Sequence, residues 1–158
     1  MDFDEVKNIV LAPGDIGREV SAASGAARLA CMDIAYSLFA LTDFGRAAET
    51  IDLYTEDIVM DIEGKRIDRA GRVERCMKRQ ANTARKTRHQ VTNFLFRQTD
   101  ARTAYSLSVV AFYLEDQRGV KGVSPITVAD CSDKYRLCDD GRWLIAYRCL
   151  KEIAGAAH

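Results

Sequence analysis

The chain has 158 residues, of which 47% are hydrophobic and 29% charged, and its 23 Lys and Arg balance its 23 Asp and Glu. These values are typical of one globular domain, and a net charge of zero argues against a general binder of nucleic acid or acidic membranes. No apolar run reaches the roughly 20 residues that span a bilayer, and the acidic N-terminus is unlike a secretory signal, so we expect a cytoplasmic protein.

Five cysteines are spread along the chain without a Cys-x-x-Cys pair. An odd number with this spacing favours free thiols over a disulfide framework or a zinc site. The sequence also lacks a Gly-rich phosphate loop, a His-x-x-x-His pair and a Gly-x-Ser-x-Gly elbow. We therefore predict neither a metal site nor another bound cofactor.

The N-terminal third is predicted to be helical. Residues 1–14 form a short arm that ends at the turn signal Pro13-Gly14, and residues 15–158 form the single domain. A long helix over residues 15–42 follows, because apolar residues recur at three- and four-residue steps. This stripe consists of Leu29, Met32, Tyr36 and Phe39. Asp43 lies at the end of the helix, and Gly45 supplies a left-handed cap.

The middle of the chain is predicted to contain a short helix over residues 47–54 and a strand over 58–63. Asp68 then caps a helix over 69–84, whose inner face carries Val73, Met77 and Ala81. Four strands complete the chain, at residues 86–96, 103–115, 126–137 and 142–150. Helices followed by a run of antiparallel strands predict an α+β fold, with the helices on one face of a bent sheet.

The strand over residues 86–96 is the most informative stretch. Strict alternation places His89, Val91, Asn93 and Leu95 on one face. That face is apolar apart from an imidazole and an amide, which is typical of a pocket wall. The other histidine, His158, is the last residue. If the protein performs acid–base chemistry near neutral pH, His89 is the first candidate.

A basic run extends from Arg72 to Arg88. It contains seven cations, namely Arg72, Arg75, Lys78, Arg79, Arg85, Lys86 and Arg88. This pattern is open to two interpretations, a solvated helix face with its following turn or a patch for an anion or nucleic acid. Aromatic residues do not interleave with the cations and the whole chain is neutral, so we do not predict nucleic-acid binding.

Four short stretches together resemble the SnoaL-like branch of the nuclear transport factor 2-like superfamily. They are residues 36–43, residues 53–57, Arg88 through Asn93, and Asp139-Asp140-Gly141-Arg142-Trp143, and the likeness extends over residues 28–151. Members of this branch include scytalone dehydratase and the bile acid dehydratase, and ketosteroid isomerase is a more distant relative. The resemblance implies a cone-shaped half-barrel with a cystatin-like fold, in which helices pack on a strongly bent, mostly antiparallel sheet.

The resemblance also implies a site. The dehydratases of this branch use an Asp–His pair to remove a proton from carbon, and the corresponding residues are Asp43 and His89. Two departures stand out. The strand over residues 103–115 lacks the second histidine of scytalone dehydratase, and a Gly-x-Tyr-x-Asp pattern is replaced by residues 129–133.

The expected activity is that of a cofactor-independent lyase or isomerase acting on a small, mostly apolar cyclic, aromatic or polycyclic ligand. Tyr36, Tyr54 and Asn93 are candidate substrate-binding residues, although both tyrosines also suit a core position. Two alternatives stay open, because superfamily members without catalytic activity exist. They are a non-catalytic protein that binds a small ligand and a structural partner similar to a dioxygenase β subunit. By analogy we expect a homodimer or homotrimer.

Overall fold

The computed structural model describes residues 1–13, 21–115 and 126–155. Its helices are α1 (Phe3–Val10), α2 (Ala22–Asp43), a 3-10 helix (Ala47–Leu53) and α3 (Arg69–Ala81). Its strands are β1 (Tyr54–Ile62), β2 (Lys65–Ile67), β3 (Lys86–Asp100), β4 (Thr103–Glu115), β5 (Thr127–Leu137) and β6 (Trp143–Gly155). The predicted loop over residues 116–125 and the start of the predicted long helix lie outside the described residues.

The six strands form one unclosed sheet in the order β2-β1-β6-β5-β4-β3. β1 runs parallel to β6, and the other neighbours are antiparallel. The predicted α+β class, with helices on a bent and mostly antiparallel sheet, is confirmed. β2 is a short edge strand that the sequence did not indicate, and β3 forms the opposite edge.

α2 packs against the sheet through a face that differs from the predicted stripe. Its buried residues are Ala27, Cys31, Ile34, Ala35, Leu38 and Phe39. Of the predicted stripe, Phe39 is buried and Met32 is partly buried, but Leu29 and Tyr36 are 64% and 41% exposed. The predicted stripe is therefore only in part the buried face of the helix. As predicted, α2 ends at Asp43, and Gly45 adopts a left-handed φ of 78°.

α3 also turns a different face inward. The predicted inner residues Val73 and Met77 are 38% and 56% exposed, and Cys76 is the buried residue. Arg69 and Arg72 lie on the inner side, where their guanidinium groups bond to the 3-10 helix and the start of β1. Backbone carbonyls and a threonine hydroxyl accept these bonds, so this interface selects arginines rather than apolar residues.

β3 contains a bulge that the sequence pattern hid. Its register with β4 shifts between Thr92 and Leu95, and Asn93 has a left-handed φ of 54°. The alternation of faces therefore reverses, so Phe94 is buried against α2 while Leu95 is exposed. The prediction that Asn93 and Leu95 share a face with His89 is wrong.

α1 covers part of the outer face of the sheet. Val6 and Val10 pack there against Tyr105, Tyr147 and Cys149, in a cluster separate from the main core. The expected homodimer or homotrimer stays a prediction. The five cysteines are unpaired, and no helix in the described ranges has the length and hydropathy of a membrane span.

Two helical glycines predict opposite responses to the same substitution. A Cβ on Gly71 would lie 2.6 Å from Cγ2 of Ile67, a branched and partly buried side chain, whereas a Cβ on Gly25 meets nothing within 4 Å. We expect Gly71→Ala to lower the free energy of unfolding by about 1–3 kcal/mol. We expect Gly25→Ala to raise it by up to about 1 kcal/mol. Urea titrations of both variants measure this, and a stabilised Gly71→Ala would contradict the packing.

Candidate active site

Asp43 and His89 form a hydrogen-bonded pair. Asp43 is the last residue of α2, and His89 lies on β3, an edge strand of the sheet. The His89 Nδ1 atom lies 2.7 Å from Asp43 Oδ1, and the His89 backbone N–H donates to Oδ2 at 2.7 Å. The two side chains are 15% and 5% exposed. The structure therefore brings together the two residues that the sequence singled out, in a place largely shielded from water.

Asp43 is held by further donors. The Thr87 hydroxyl donates to Asp43 Oδ1 at 2.7 Å and accepts from Arg79 Nη2 at 3.0 Å. Burial by itself raises the pKa of the Asp43 carboxyl, but the bonds from His89 and Thr87 outweigh it and hold that pKa below its ordinary value. Asp43 is therefore an ionised acceptor, which fixes the His89 tautomer with a proton on Nδ1.

The imidazole of His89 lies between two aromatic rings. The Phe39 ring stacks on it with centroids 4.8 Å apart, and the Phe112 ring lies 5.0 Å away. Phe112 is the cross-strand partner of His89 on β4, and Phe39 lies one helical turn before Asp43. Among the described residues, Nε2 has no hydrogen-bond partner. The pair thus presents a ring nitrogen without a described partner in apolar surroundings.

A second charged pair is buried behind Phe39. Arg148 on β6 makes two 2.7 Å bonds to the Asp133 carboxylate on β5, and both side chains are 1% exposed. Tyr135 also donates to Asp133, and the Arg148 guanidinium lies 5.4 Å from the Phe39 ring centroid. Burial opposes the charge on Arg148, but Asp133 outweighs it and holds the guanidinium pKa above its ordinary range.

The sequence reasoning missed this pair. Asp133 and Arg148 are cross-strand partners in the β5–β6 hairpin, but a register shift at Lys134 and Tyr135 separates them from the turn. Regular alternation counted from the turn would place Asp133 opposite Tyr147, so the sequence carried no signal for this ion pair. Asp133 also belongs to the stretch that departs from the family pattern. Because its carboxylate already neutralises Arg148, this arginine has no spare charge for a ligand.

Tyr54 is buried in the same core cluster as Phe39. Its hydroxyl has no hydrogen-bond partner among the described residues, and burial raises its pKa. A buried hydroxyl without a hydrogen-bond partner is costly in free energy, so Tyr54 stands out among the buried polar groups. Tyr54 also borders a polar surface pocket of about 490 Å³ that includes Arg69 and Arg136.

The other two candidate ligand-binding residues lie elsewhere. Tyr36 is half-exposed on α2 and contacts Phe94 rather than His89. Asn93 borders a pocket of about 230 Å³ between α1 and the outer face of the sheet, together with Phe3 and Leu95. The bulge in β3 is the physical reason that Asn93 does not face the His89 side.

The described residues offer no group of three or more His, Cys, Asp or Glu side chains arranged to hold a metal ion. What the site presents is an imidazole whose Nε2 has no partner among the described residues, a carboxylate bonded to its Nδ1, and two aromatic rings beside it. Chemically, such an arrangement can accept a proton from a bound molecule and return it.

Comparison with known proteins assigns the family. A candidate scytalone dehydratase from Novosphingobium aromaticivorans DSM 12444 has a TM-score of 0.73 at 16% identity, covering 88% of this chain and 93% of that chain. The hexachlorocyclohexane dehydrochlorinase LinA-type3 from Novosphingobium barchaimii LL02 has a TM-score of 0.67 at 17% identity, covering 84% and 90%.

A Nostoc punctiforme PCC 73102 protein described as having a cystatin-like fold gives a TM-score of 0.67 at 15% identity, covering 85% and 95%. At these identities the likeness establishes the fold, and the predicted cystatin-like architecture is confirmed. No curated protein matches the sequence. The family model of the SnoaL-like domain matches residues 24–149, so the chain belongs to the SnoaL-like domain family.

Proposed function

We propose that this protein is a cofactor-independent lyase or isomerase, in which His89 removes a proton from carbon and Asp43 orients His89. The observation that carries the proposal is the 2.7 Å contact between Nδ1 and Asp43, with two aromatic rings beside the imidazole and no partner for Nε2 in the part of the chain that the structure describes. Two structures of the same fold are named for a dehydratase and a dehydrochlorinase, which supports this class of reaction.

The proposed step needs only proton transfer. Nε2 of His89 accepts the proton, and the electron pair of the broken C–H bond forms a carbon–carbon double bond. In an elimination, the leaving group departs from the neighbouring carbon, and the imidazolium returns its proton to a departing hydroxyl as water. In an isomerisation, the same proton returns to another carbon. Asp43 stabilises the imidazolium while it exists, as a buried carboxylate does for a catalytic histidine.

The walls of the site favour an apolar cyclic substrate. Phe39 and Phe112 flank the imidazole, so a flat or alicyclic ring is the body that packs best beside it. The Tyr54 hydroxyl, unpaired and buried in the cluster that contains Phe39, is the proposed donor to a substrate oxygen. A donor at that oxygen stabilises the negative charge that develops when the proton leaves an adjacent carbon.

The first prediction concerns the pair itself. We expect His89→Gln and Asp43→Asn each to lower the turnover of hydroxylated or halogenated cyclic compounds by about 100- to 10,000-fold, the usual contribution of a positioned base. Turnover is measured by chromatography, after circular dichroism has confirmed folding. His158→Gln, which replaces the other histidine, is the matched control and should keep full activity.

Two results would count against this mechanism. Variants of His89 and Asp43 that turn over substrate as fast as the parent would remove the proton-transfer role. A parent that binds such compounds tightly and leaves them unchanged would instead indicate a non-catalytic ligand-binding protein.

The second prediction separates catalysis from stability at Tyr54. We expect Tyr54→Phe to keep or raise the free energy of unfolding, by up to about 1 kcal/mol, because it removes a buried hydroxyl without a partner. We expect the same change to lower turnover by roughly tenfold or more, because a donor to the substrate oxygen is lost. Thermal unfolding and steady-state kinetics measure the two effects. A destabilised variant with normal turnover would contradict the assignment.

The third prediction concerns Thr87 and pH. Thr87→Val removes a donor to the ionised Asp43 and should lower the free energy of unfolding by about 1.5 kcal/mol at neutral pH. Because the folded-state pKa of Asp43 is depressed, this contribution is present above the ordinary aspartate value of 3.8 and is lost as the pH falls through the folded-state pKa.

Urea titrations between neutral and acid pH test this dependence. The other charged or titratable groups that face Asp43 and Thr87 are His89 and Arg79, and both variants retain them. Thr87→Ser keeps the hydroxyl and serves as the control, with a smaller loss. A difference between parent and Thr87→Val that stays constant down to low pH would show that the hydroxyl does not stabilise the carboxylate.

A further inference from the structure

The basic run over residues 72–88 lies beside the proposed active site. It begins on α3 and ends on β3, the strand that carries His89. Within the described residues, Lys78 is paired with Glu74, while the guanidinium groups of Arg79, Arg85 and Arg88 lie within 4 Å of no carboxylate. A chain that is neutral overall thus places several cations close together, of which Arg79 has the opposite charge of Asp43 nearby.

Two of these arginines already have structural roles. Arg79 donates to Thr87, which in turn donates to Asp43. Arg88 donates to the backbone carbonyls of Asp43 and Thr87, and its guanidinium lies over the Phe44 ring. Both groups hold the end of α2 against β3, so their positions are explained by the fold.

Arg85 has no such role. Its side chain is exposed and makes no hydrogen bond to another described residue. Its guanidinium carbon lies 5.6 Å from the centroid of Phe112, the ring whose centroid is 5.0 Å from that of His89. Arg85 and His89 therefore both lie beside the same ring.

We propose that the ligand of this site is a small apolar acid, whose ring lies against Phe112 and whose anionic oxygen group is bound by Arg85. This inference rests on the proposed function, which locates the ligand beside His89, and it adds that the ligand carries a negative charge. The ring contact leaves the guanidinium N–H groups of Arg85 unused, and their fork matches a carboxylate or phosphate. Arg79 adds a second positive charge close by, since Arg85 is among the causes that lower the Arg79 pKa, after burial.

The test uses two ligands that share a ring system and differ in charge. Calorimetric titration of the full-length protein at pH 7 and constant salt compares 2-naphthoate with the neutral 2-naphthamide. We expect the parent to bind 2-naphthoate roughly tenfold more tightly, about the value of one charged hydrogen bond. The ¹⁵N signals of the His89 imidazole, followed by NMR, should shift with either ligand and so report binding beside His89.

Substitutions then assign the preference to Arg85. Arg85→Gln should bind the two ligands equally, and Arg85→Lys should keep most of the preference because it keeps the charge. Lys65→Gln is the matched control, because Lys65 is exposed on β2, at the opposite edge of the sheet. It removes the same charge and should leave the preference unchanged.

Several outcomes would overturn the proposal. Equal binding of the two ligands by the parent, no binding of either, or a preference that survives Arg85→Gln would each do so. A single-stranded oligonucleotide of about a dozen residues that binds through Arg85 and is not displaced by 2-naphthoate would make the run a nucleic-acid surface instead. The proposed reaction fails separately, if His89→Gln keeps full turnover while the charge preference persists.

Discussion

The end of α2 imposes the constraint around which this structure is arranged. Asp43 places a carboxylate where the helix dipole is already negative, which is unfavourable unless donors compensate it. β3 supplies these donors from three consecutive residues. The Thr87 hydroxyl and the backbone N–H and ring of His89 bond to the carboxylate, and the Arg88 guanidinium bonds to the backbone carbonyl of Asp43. The same bonds fasten the helix to the edge of the sheet and orient the imidazole. The same set of interactions therefore contributes to the stability of the fold and to the geometry of the proposed base.

Phe39 connects this arrangement to the interior. One side of its ring stacks on His89, and the Arg148 guanidinium lies 5.4 Å from its centroid. A buried ion pair such as Arg148–Asp133 is costly to desolvate and is weak evidence for stability, so its value here lies in geometry. It keeps a cation behind the ring without exposing a free charge to the site. Packing the aromatic wall thus depends on a polar network deep between β5 and β6.

The sequence predicted the fold class and the order of the elements apart from β2, because periodicity, caps and turns are local signals. The pairing of Asp43 with His89 was implied by the resemblance to the SnoaL-like branch, and the structure brings the two side chains into contact. The sequence could not predict which residues of β3 face the core beyond Val91. The left-handed residue Asn93 reverses the alternation there, and the amino-acid composition gives no sign of it. The inner face of α3 was also mispredicted. Hydrophobic periodicity identifies buried apolar residues, whereas Arg69 is turned inward by carbonyl acceptors and Arg72 by the Thr50 hydroxyl, on other segments of the chain. Such partners become visible only in three dimensions.

The sequence is likewise an incomplete guide to the distribution of charge over the folded protein. The equal numbers of acidic and basic residues argue against the binding of large anions. That argument concerns the electrostatic field of the whole molecule at long range. At short range the positions of individual charges matter more than the net charge, because at ordinary salt the field of an exposed charge is screened beyond about 10 Å. Arg85 lies beside Phe112 with no described carboxylate within 4 Å of its guanidinium, whereas Arg102 and Arg142 are paired with Asp139 and Asp140 at the β5–β6 turn. A neutral chain can thus place a positive charge next to an apolar site, and the proposed binding of a small acid depends on this local imbalance.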